Sequence, residues 1–340
     1  MLTDTFLKKA ESFIINLLIK QHYKQPSYVR DTDSIKKYLN FFKHDTLKLF
    51  LPISKKYHID TSNATIIAPD HYVIQFPTPY NPVPLFKEEF IKDNQLQIAK
   101  LHYFPYNKRK KAEISDRAMI YIHGWGRGNF NFEKQFQFKI FQKSYNVDIF
   151  ALELPYHNTR NPNPNTTFSG QGFLDSDLVR TIEAFRQSTI ESFFLLRFLN
   201  KIYSDVGAVG VSLGAHILIM LNMLLEQNMF SLTCLVGTPM RENIRNLKIS
   251  PNMINSMKNK EVMKALSILD FSKIPIKHYN EDQYLFGGRF DSIISPNTVK
   301  NLGRHIKSKT YLVPTGHFTF PLYFPFIVKK IAQWPNNVTK

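Results

Sequence analysis

A serine hydroxyl becomes a competent nucleophile when an imidazole takes its proton and a carboxylate fixes that imidazole. Three residues in this sequence stand where such a relay would place them, each just after a short apolar run. Gly210-Val211-Ser212-Leu213-Gly214 joins the strand-like run Val206–Val211 directly to an apolar helical run. A G-x-S-x-G segment between strand and helix puts its serine on a sharp, strained turn. The residues two before and two after must be tiny so that strand and helix can approach, and the helix N-terminus then faces any oxyanion that develops. His317 ends Pro314-Thr315-Gly316-His317, after the run Thr310–Val313, where a base for Ser212 is needed. Asp291 follows Tyr284-Leu285-Phe286 and precedes Pro296, which suits an acid that orients His317. Asp282, which precedes that strand, and Glu242, which follows the previous one, compete for that third role.

Oxyanion chemistry needs a second backbone N–H besides that of Leu213, the residue after the serine. The run Met119–Ile122 ends in His123-Gly124-Trp125-Gly126-Arg127-Gly128, whose glycines let backbone approach a substrate, and Trp125 is the expected donor. His123 reads as a structural hydrogen-bonder. No G-x-x-x-x-G-K-[ST] segment marks a phosphate loop, and neither an H-x-x-x-H pair nor paired cysteines suggest a metal, so neither a cofactor nor a metal is expected.

These residues must be held by a regular frame, and the hydropathy pattern supplies one. Residues 1–55 read as a helical N-terminal extension packed on the main domain of 56–340. Strands are expected at Tyr72–Phe76, Leu96–Phe104, Met119–Ile122, Val147–Leu154, Val206–Val211, Leu232–Val236, Tyr284–Phe286 and Thr310–Val313. Between them lie helical stretches near Phe132–Lys143, Asp177–Ile202, Leu213–Leu225, Asn297–His305 and Tyr323–Gln333. Such alternation implies a mostly parallel central sheet flanked by helices, with ligands bound outside the carboxyl ends of the strands. A helical insertion over 240–281 reads as a small cap, and Asn161–Gly172, polar and turn-rich, as one wall of the site.

From about residue 70 onward the chain resembles the α/β-hydrolase superfamily, through His123-Gly124-Trp125-Gly126, Gly210–Gly214, Gly288–Asp291 and Gly316-His317 in that order. Leu152-Glu153-Leu154-Pro155-Tyr156-His157-Asn158-Thr159-Arg160 resembles a strand signature of the abhydrolase-domain-18-like subgroup. The resemblance implies a cofactor-independent serine hydrolase that cleaves an ester or thioester of a small acyl compound through an acyl-enzyme. Two alternatives stay open beside it, an acyltransferase on the same residues and a non-catalytic binding protein of this fold. Arg127, His157 and Arg160 are candidate substrate contacts, with structural pairing as the competing reading for Arg160.

Bulk properties restrict the setting. Of 340 residues, 43% are hydrophobic and 21% charged, the balance of a globular protein rather than a disordered one. A lone cysteine, Cys234, rules out an internal disulfide and fits a cytoplasmic location. The net charge of +17 raises the question of nucleic acid, but the basic residues are spread along the chain, so no nucleic-acid partner is expected. The apolar run Phe13–Ile19, set among Lys8, Lys9, Lys20 and Lys24, is too short to span a membrane and lacks a cleavage site. Packing on the domain and peripheral contact with an anionic membrane surface both remain open for it.

Overall fold

The computed structural model describes residues 4–22, 29–41, 50, 56–106, 115–163, 168–225, 231–235, 255, 257–270 and 283–331. Two helices come first, α1 (Asp4–His22) and α2 (Thr32–Phe41). Strands β1 (Ala64–Ala68) and β2 (His71–Pro77) form a hairpin, and the short helices α3 (Lys87–Ile91) and α4 (Asn94–Gln97) lead into β3 (Ile98–Phe104). Next come β4 (Arg117–Ile122), α5 (Lys139–Tyr145), β5 (Asp148–Glu153), α6 (Leu178–Ile202), β6 (Asp205–Val211) and α7 (Leu213–Leu224). The remainder is β7 (Ser231–Leu235), α8 (Lys260–Leu266), β8 (Gln283–Gly288), α9 (Pro296–His305), β9 (Lys309–Val313) and α10 (Phe324–Lys330).

The nine strands make one sheet in the order β1-β2-β3-β5-β4-β6-β7-β8-β9. From β5 to β9 every pairing is parallel, whereas β1, β2 and β3 run antiparallel to their neighbours. With helices on both faces, this mixed sheet is an α/β-hydrolase fold, as the resemblance implies, and its parallel half is the one the alternation predicts. The hairpin strand β1 had no clear signal, because four of its five residues are exposed and no buried face gives it a period. Central strands read as continuous apolar runs because both faces are covered. In β5 all six residues are buried, Asp148 and Glu153 included. Asp148 accepts from the Tyr203 hydroxyl at 3.0 Å and Glu153 from the Thr159 hydroxyl at 2.7 Å, so neither carboxylate is stranded.

Helix α6 begins at Asp177, whose carboxylate caps the N–H groups of Val179 and Arg180. Its inner stripe, including Ile182, Phe185 and Leu196, packs on the sheet side, yet its outer face is buried too. Polar groups from distant segments meet it there. Glu183 accepts from the Tyr38 hydroxyl of α2 at 2.6 Å, and also from Tyr80. Arg30 joins Asp177 at 2.6 and 2.9 Å and Glu89 at 2.7 Å. The N-terminal quarter of the chain is thus fastened across the back of the sheet by charge-assisted bonds as well as by apolar contact.

This packing takes two of the candidate substrate contacts, Arg160 and His157, away from solvent. Arg160 is not a substrate contact: it is fully buried, with its guanidinium bidentate on Glu191 at 2.7 and 2.8 Å and donating to the Glu153 carbonyl at 2.7 Å. His157 is fully buried as well, donating from Nδ1 to the Pro155 carbonyl at 2.8 Å with its ring against His123. The loop after β5 turns beneath α6, where Glu191 needs a cation, and so carries both residues away from solvent. Burial holds the His157 imidazole neutral, with its pKa down to about 3.

Helix α8, the described core of the predicted cap, packs on α2 and α6. Residues 240–254 and 271–281, like Val236, the basic loop Lys108–Lys111 and the terminal stretch from 332, lie outside the described residues. Among the described residues no helix is long and apolar enough to cross a membrane.

Removing one member of a buried ion pair leaves the other charge uncompensated, at a cost of about 3–5 kcal/mol. Arg160→Ala is therefore expected to lower unfolding stability by about that amount in urea titrations. The double change Arg160→Met with Glu191→Leu should recover most of the loss, and a single variant as stable as the parent would refute the structural role of the pair.

Candidate active site

Ser212 occupies the turn between β6 and α7 with φ 51° and ψ −108°, a conformation that L-residues adopt only when the surroundings enforce it. Two glycines make the turn feasible. A Cβ on Gly210 would sit 2.5 Å from the Gly214 carbonyl oxygen, and one on Gly214 would sit 2.1 Å from that of Ile122 on β4. The start of α7 therefore rests on the carboxyl end of the central strands, and no side chain fits between.

The other two chemical groups arrive from loops that follow β8 and β9. Ser212 Oγ lies 2.9 Å from His317 Nε2, and His317 Nδ1 lies 2.8 Å from Asp291 Oδ2. The remaining oxygen of Asp291 accepts the N–H groups of Ile293 at 2.9 Å and Ile294 at 2.8 Å, which fixes the carboxylate in its own turn. Backbone bonds tie the two loops together, from Arg289 to the Val313 carbonyl and from Phe290 to that of Thr315, both at 2.8 Å. Gly288 allows this, since a Cβ there would come within 2.5 Å of the Thr315 oxygen. The resulting row is a hydroxyl, an imidazole and a buried carboxylate in hydrogen-bonding sequence. Burial disfavours the imidazolium of His317, but the adjacent Asp291 carboxylate, with help from Glu11, outweighs it and holds the pKa above the ordinary histidine value.

The loop after β4 lies against the serine: a Cβ on Gly124 would be 3.5 Å from that of Ser212. A bond from Arg127 N–H to the Gly124 carbonyl at 3.3 Å closes a turn around Trp125. The indole of Trp125 is held by donation to the Gly170 carbonyl at 2.8 Å and by edge contact with Phe168. Leu213 is the first residue of α7, where a backbone N–H has no acceptor within its own helix. Arg127 stands at the rim with its Nε on Glu133 at 2.9 Å and its guanidinium over the Phe132 ring.

Ser212 and His317 stand at the junction of two clefts, of about 220 Å³ and about 350 Å³. Both share Ile14, Trp125, Arg127 and Phe318. The smaller runs toward Phe168, Leu174, His216, Ile293 and Ile294, and the larger toward Phe132, Gln137, Phe320 and Phe324. Of the residues singled out in the sequence, Ser212, Asp291, His317, Trp125, Leu213 and Arg127 come together here, while His157 and Arg160 do not. Among the described residues no group of His, Cys, Asp and Glu is arranged to hold a metal ion.

Two contributors carried no motif. Ile14 and Glu11 belong to α1, some 300 residues from the loop they touch, and an amphipathic helix gives no hint of which surface it will cover. His216 lies one turn beyond Ser212 and lines the smaller cleft; its position four residues after the serine was the available signal.

No protein-family model and no curated protein matches the sequence. Solved structures do match the fold. An acetyl xylan esterase from Paenibacillus sp. R4 superposes with a TM-score of 0.57 at 12% identity, over 93% of this chain and 98% of its own. Acetyl xylan esterase 1 from Thermoanaerobacterium sp. JW/SL YS485 gives 0.52 at 14% identity, over 91% and 98%. The likeness establishes an α/β-hydrolase architecture running through nearly the whole chain.

The closeness of α7 to β4 makes a specific demand. Gly214→Ala should force the helix off the Ile122 carbonyl, lowering the urea unfolding midpoint by the equivalent of about 1–3 kcal/mol. An unchanged midpoint would mean that α7 does not bear on β4 in this way.

Proposed function

We propose that this protein is a serine hydrolase that cleaves carboxylic esters or thioesters of small acyl compounds. The observation that carries this reading is the row Ser212–His317–Asp291, hydrogen-bonded at 2.9 and 2.8 Å, at the junction of two clefts. Ser212 Oγ attacks the acyl carbonyl while His317 Nε2 takes its proton, and Asp291 holds the opposite nitrogen protonated and stabilises the imidazolium. The backbone N–H groups of Leu213 and Trp125 receive the oxyanion. His317 then protonates the departing alcohol or thiol, leaving the acyl group on Ser212. Water enters, gives a proton to His317 and attacks the acyl carbonyl, which returns Ser212 and releases the acid.

The two clefts suit the two halves of such a substrate. The smaller is walled by Leu174, Ile293 and Ile294 and takes the acyl group; the larger, which reaches the buried Gln137, takes the leaving group. The acetyl xylan esterases of the same fold lend support to ester chemistry, and we carry over the reaction class and not their substrate.

Labelling with a fluorophosphonate probe tests the reading directly. Wild-type protein is expected to label at Ser212 and to lose all labelling in Ser212→Ala. Asp291→Asn should slow both labelling and p-nitrophenyl ester hydrolysis by roughly 10³–10⁴-fold, because the imidazole loses its correct tautomer. A folded wild type that neither labels nor turns over esters would overturn the assignment.

The pH dependence follows from the direction of the His317 shift. Only neutral imidazole can accept the Ser212 proton, so the rate is high above the His317 pKa and falls as pH drops through it. Since Asp291 and Glu11 hold that pKa above about 6.5, the acid limb of kcat/KM should have its midpoint on the alkaline side of that value. Asp291→Asn should move the midpoint toward acid.

A further inference from the structure

Helix α1 lies far from the site in sequence, yet it reaches the loop that carries His317. Leu7 and Glu11 are buried on its inner face, Ile14 lines both clefts, and Lys8 Nζ sits 4.8 Å above the Phe290 ring next to Asp291. Glu11, at 2% exposure, directs its carboxylate into the His317 loop. One oxygen accepts the His317 backbone N–H at 2.6 Å, and the other accepts that of Phe318 at 2.9 Å. Gly316 leaves the space for this approach, because a Cβ there would fall 2.3 Å from the carboxylate carbon. The preceding N–H, that of Gly316, is taken by the Thr319 hydroxyl at 2.8 Å, so three successive amides of the loop are satisfied by side chains.

We propose that Glu11 is a positioning residue for His317, clamping the two backbone amides of its loop from α1 and thereby making the N-terminal helix part of the active site. The proposal rests on the reading of Ser212 and His317 as an ester-hydrolysing pair, and it adds what holds the base in register. His317 lies in the loop after β9, the last strand of the sheet, beyond the end of its ladder with β8 at Val313. A two-point clamp from Glu11 restrains the peptide from which the imidazole hangs. Its negative charge also favours the imidazolium that forms whenever Ser212 is deprotonated. The groups facing His317 are Asp291 from the β8 loop and Glu11 from α1, with Arg127 and His216 lining the same cleft and Lys8 beside Phe290. Of these, Glu11 and Asp291 are the two carboxylates that raise its pKa.

The test compares full-length wild type with Glu11→Gln and Glu11→Asp, using three readouts: thermal midpoint, fluorophosphonate labelling rate against pH, and an NMR titration of the His317 ring. Glu11→Gln keeps the shape and loses the charge. It is expected to label about tenfold or more slowly, with the acid limb and the His317 titration midpoint both moved toward acid. Glu11→Asp keeps the charge but cannot span both amides. It should keep a wild-type midpoint and regain part of the rate. A Glu11→Gln protein with lowered thermal stability but unchanged rate and midpoint would show that the contact is structural only and overturn the proposal. So would a Glu11→Asp protein that labels at the full wild-type rate, since it lacks the two-point clamp. Should wild type fail to label while the His317 midpoint still responds to Glu11→Gln, the ester-hydrolysing reading falls and the placement of Glu11 stands.

Discussion

The closeness of α7 to the central strands is the constraint on which the rest of the site depends. With 2.1 Å separating a hypothetical Gly214 Cβ from the Ile122 carbonyl, helix and strand meet backbone to backbone. That contact fixes the height of Ser212 above the sheet and forces its positive φ. It also brings the first amide of α7 beside the loop after β4, so the placement of Ser212, Leu213 and the Trp125 turn is set by one packing decision. The two remaining groups need only be delivered to the same edge of the sheet, and parallel strands β8 and β9 do so by ending there.

Much of this was legible in the residues. Strand–helix alternation predicts the parallel half of the sheet, and its element boundaries from β4 onward fall within a few residues of the apolar runs. Ser212, Asp291 and His317 each follow a strand end, and the structure brings them into hydrogen-bonding contact. What the sequence did not disclose is pairing between segments that share no local pattern. Arg160 has the look of a cleft residue until its partner, Glu191 on the middle of α6, is known. A buried charge on a long helix leaves no periodic trace, because periodicity records apolar burial and is silent about ion pairs. The same applies to Glu11, one acid in an otherwise ordinary amphipathic stretch.

The outer face of α6 shows how the protein accommodates this polarity. Tyr38, Tyr80 and Arg186 surround Glu183, while Thr78, Gln187 and Arg160 surround Glu191. Apolar packing alone would hold α2 and the stretch after β2 in several registers. Directional bonds to two carboxylates a little over two turns apart admit one register, which suits a segment whose next helix toward the N-terminus touches the site.

The bonds between Glu11 and the His317 loop span 306 and 307 residues. The acceptor loop follows β9, so α1 can make these bonds only after that loop has been synthesised. Ser212 precedes His317 by 105 residues, so on a growing chain it is present before its imidazole partner. The row of hydroxyl, imidazole and carboxylate is complete only once the loop after β9 lies against the start of α7.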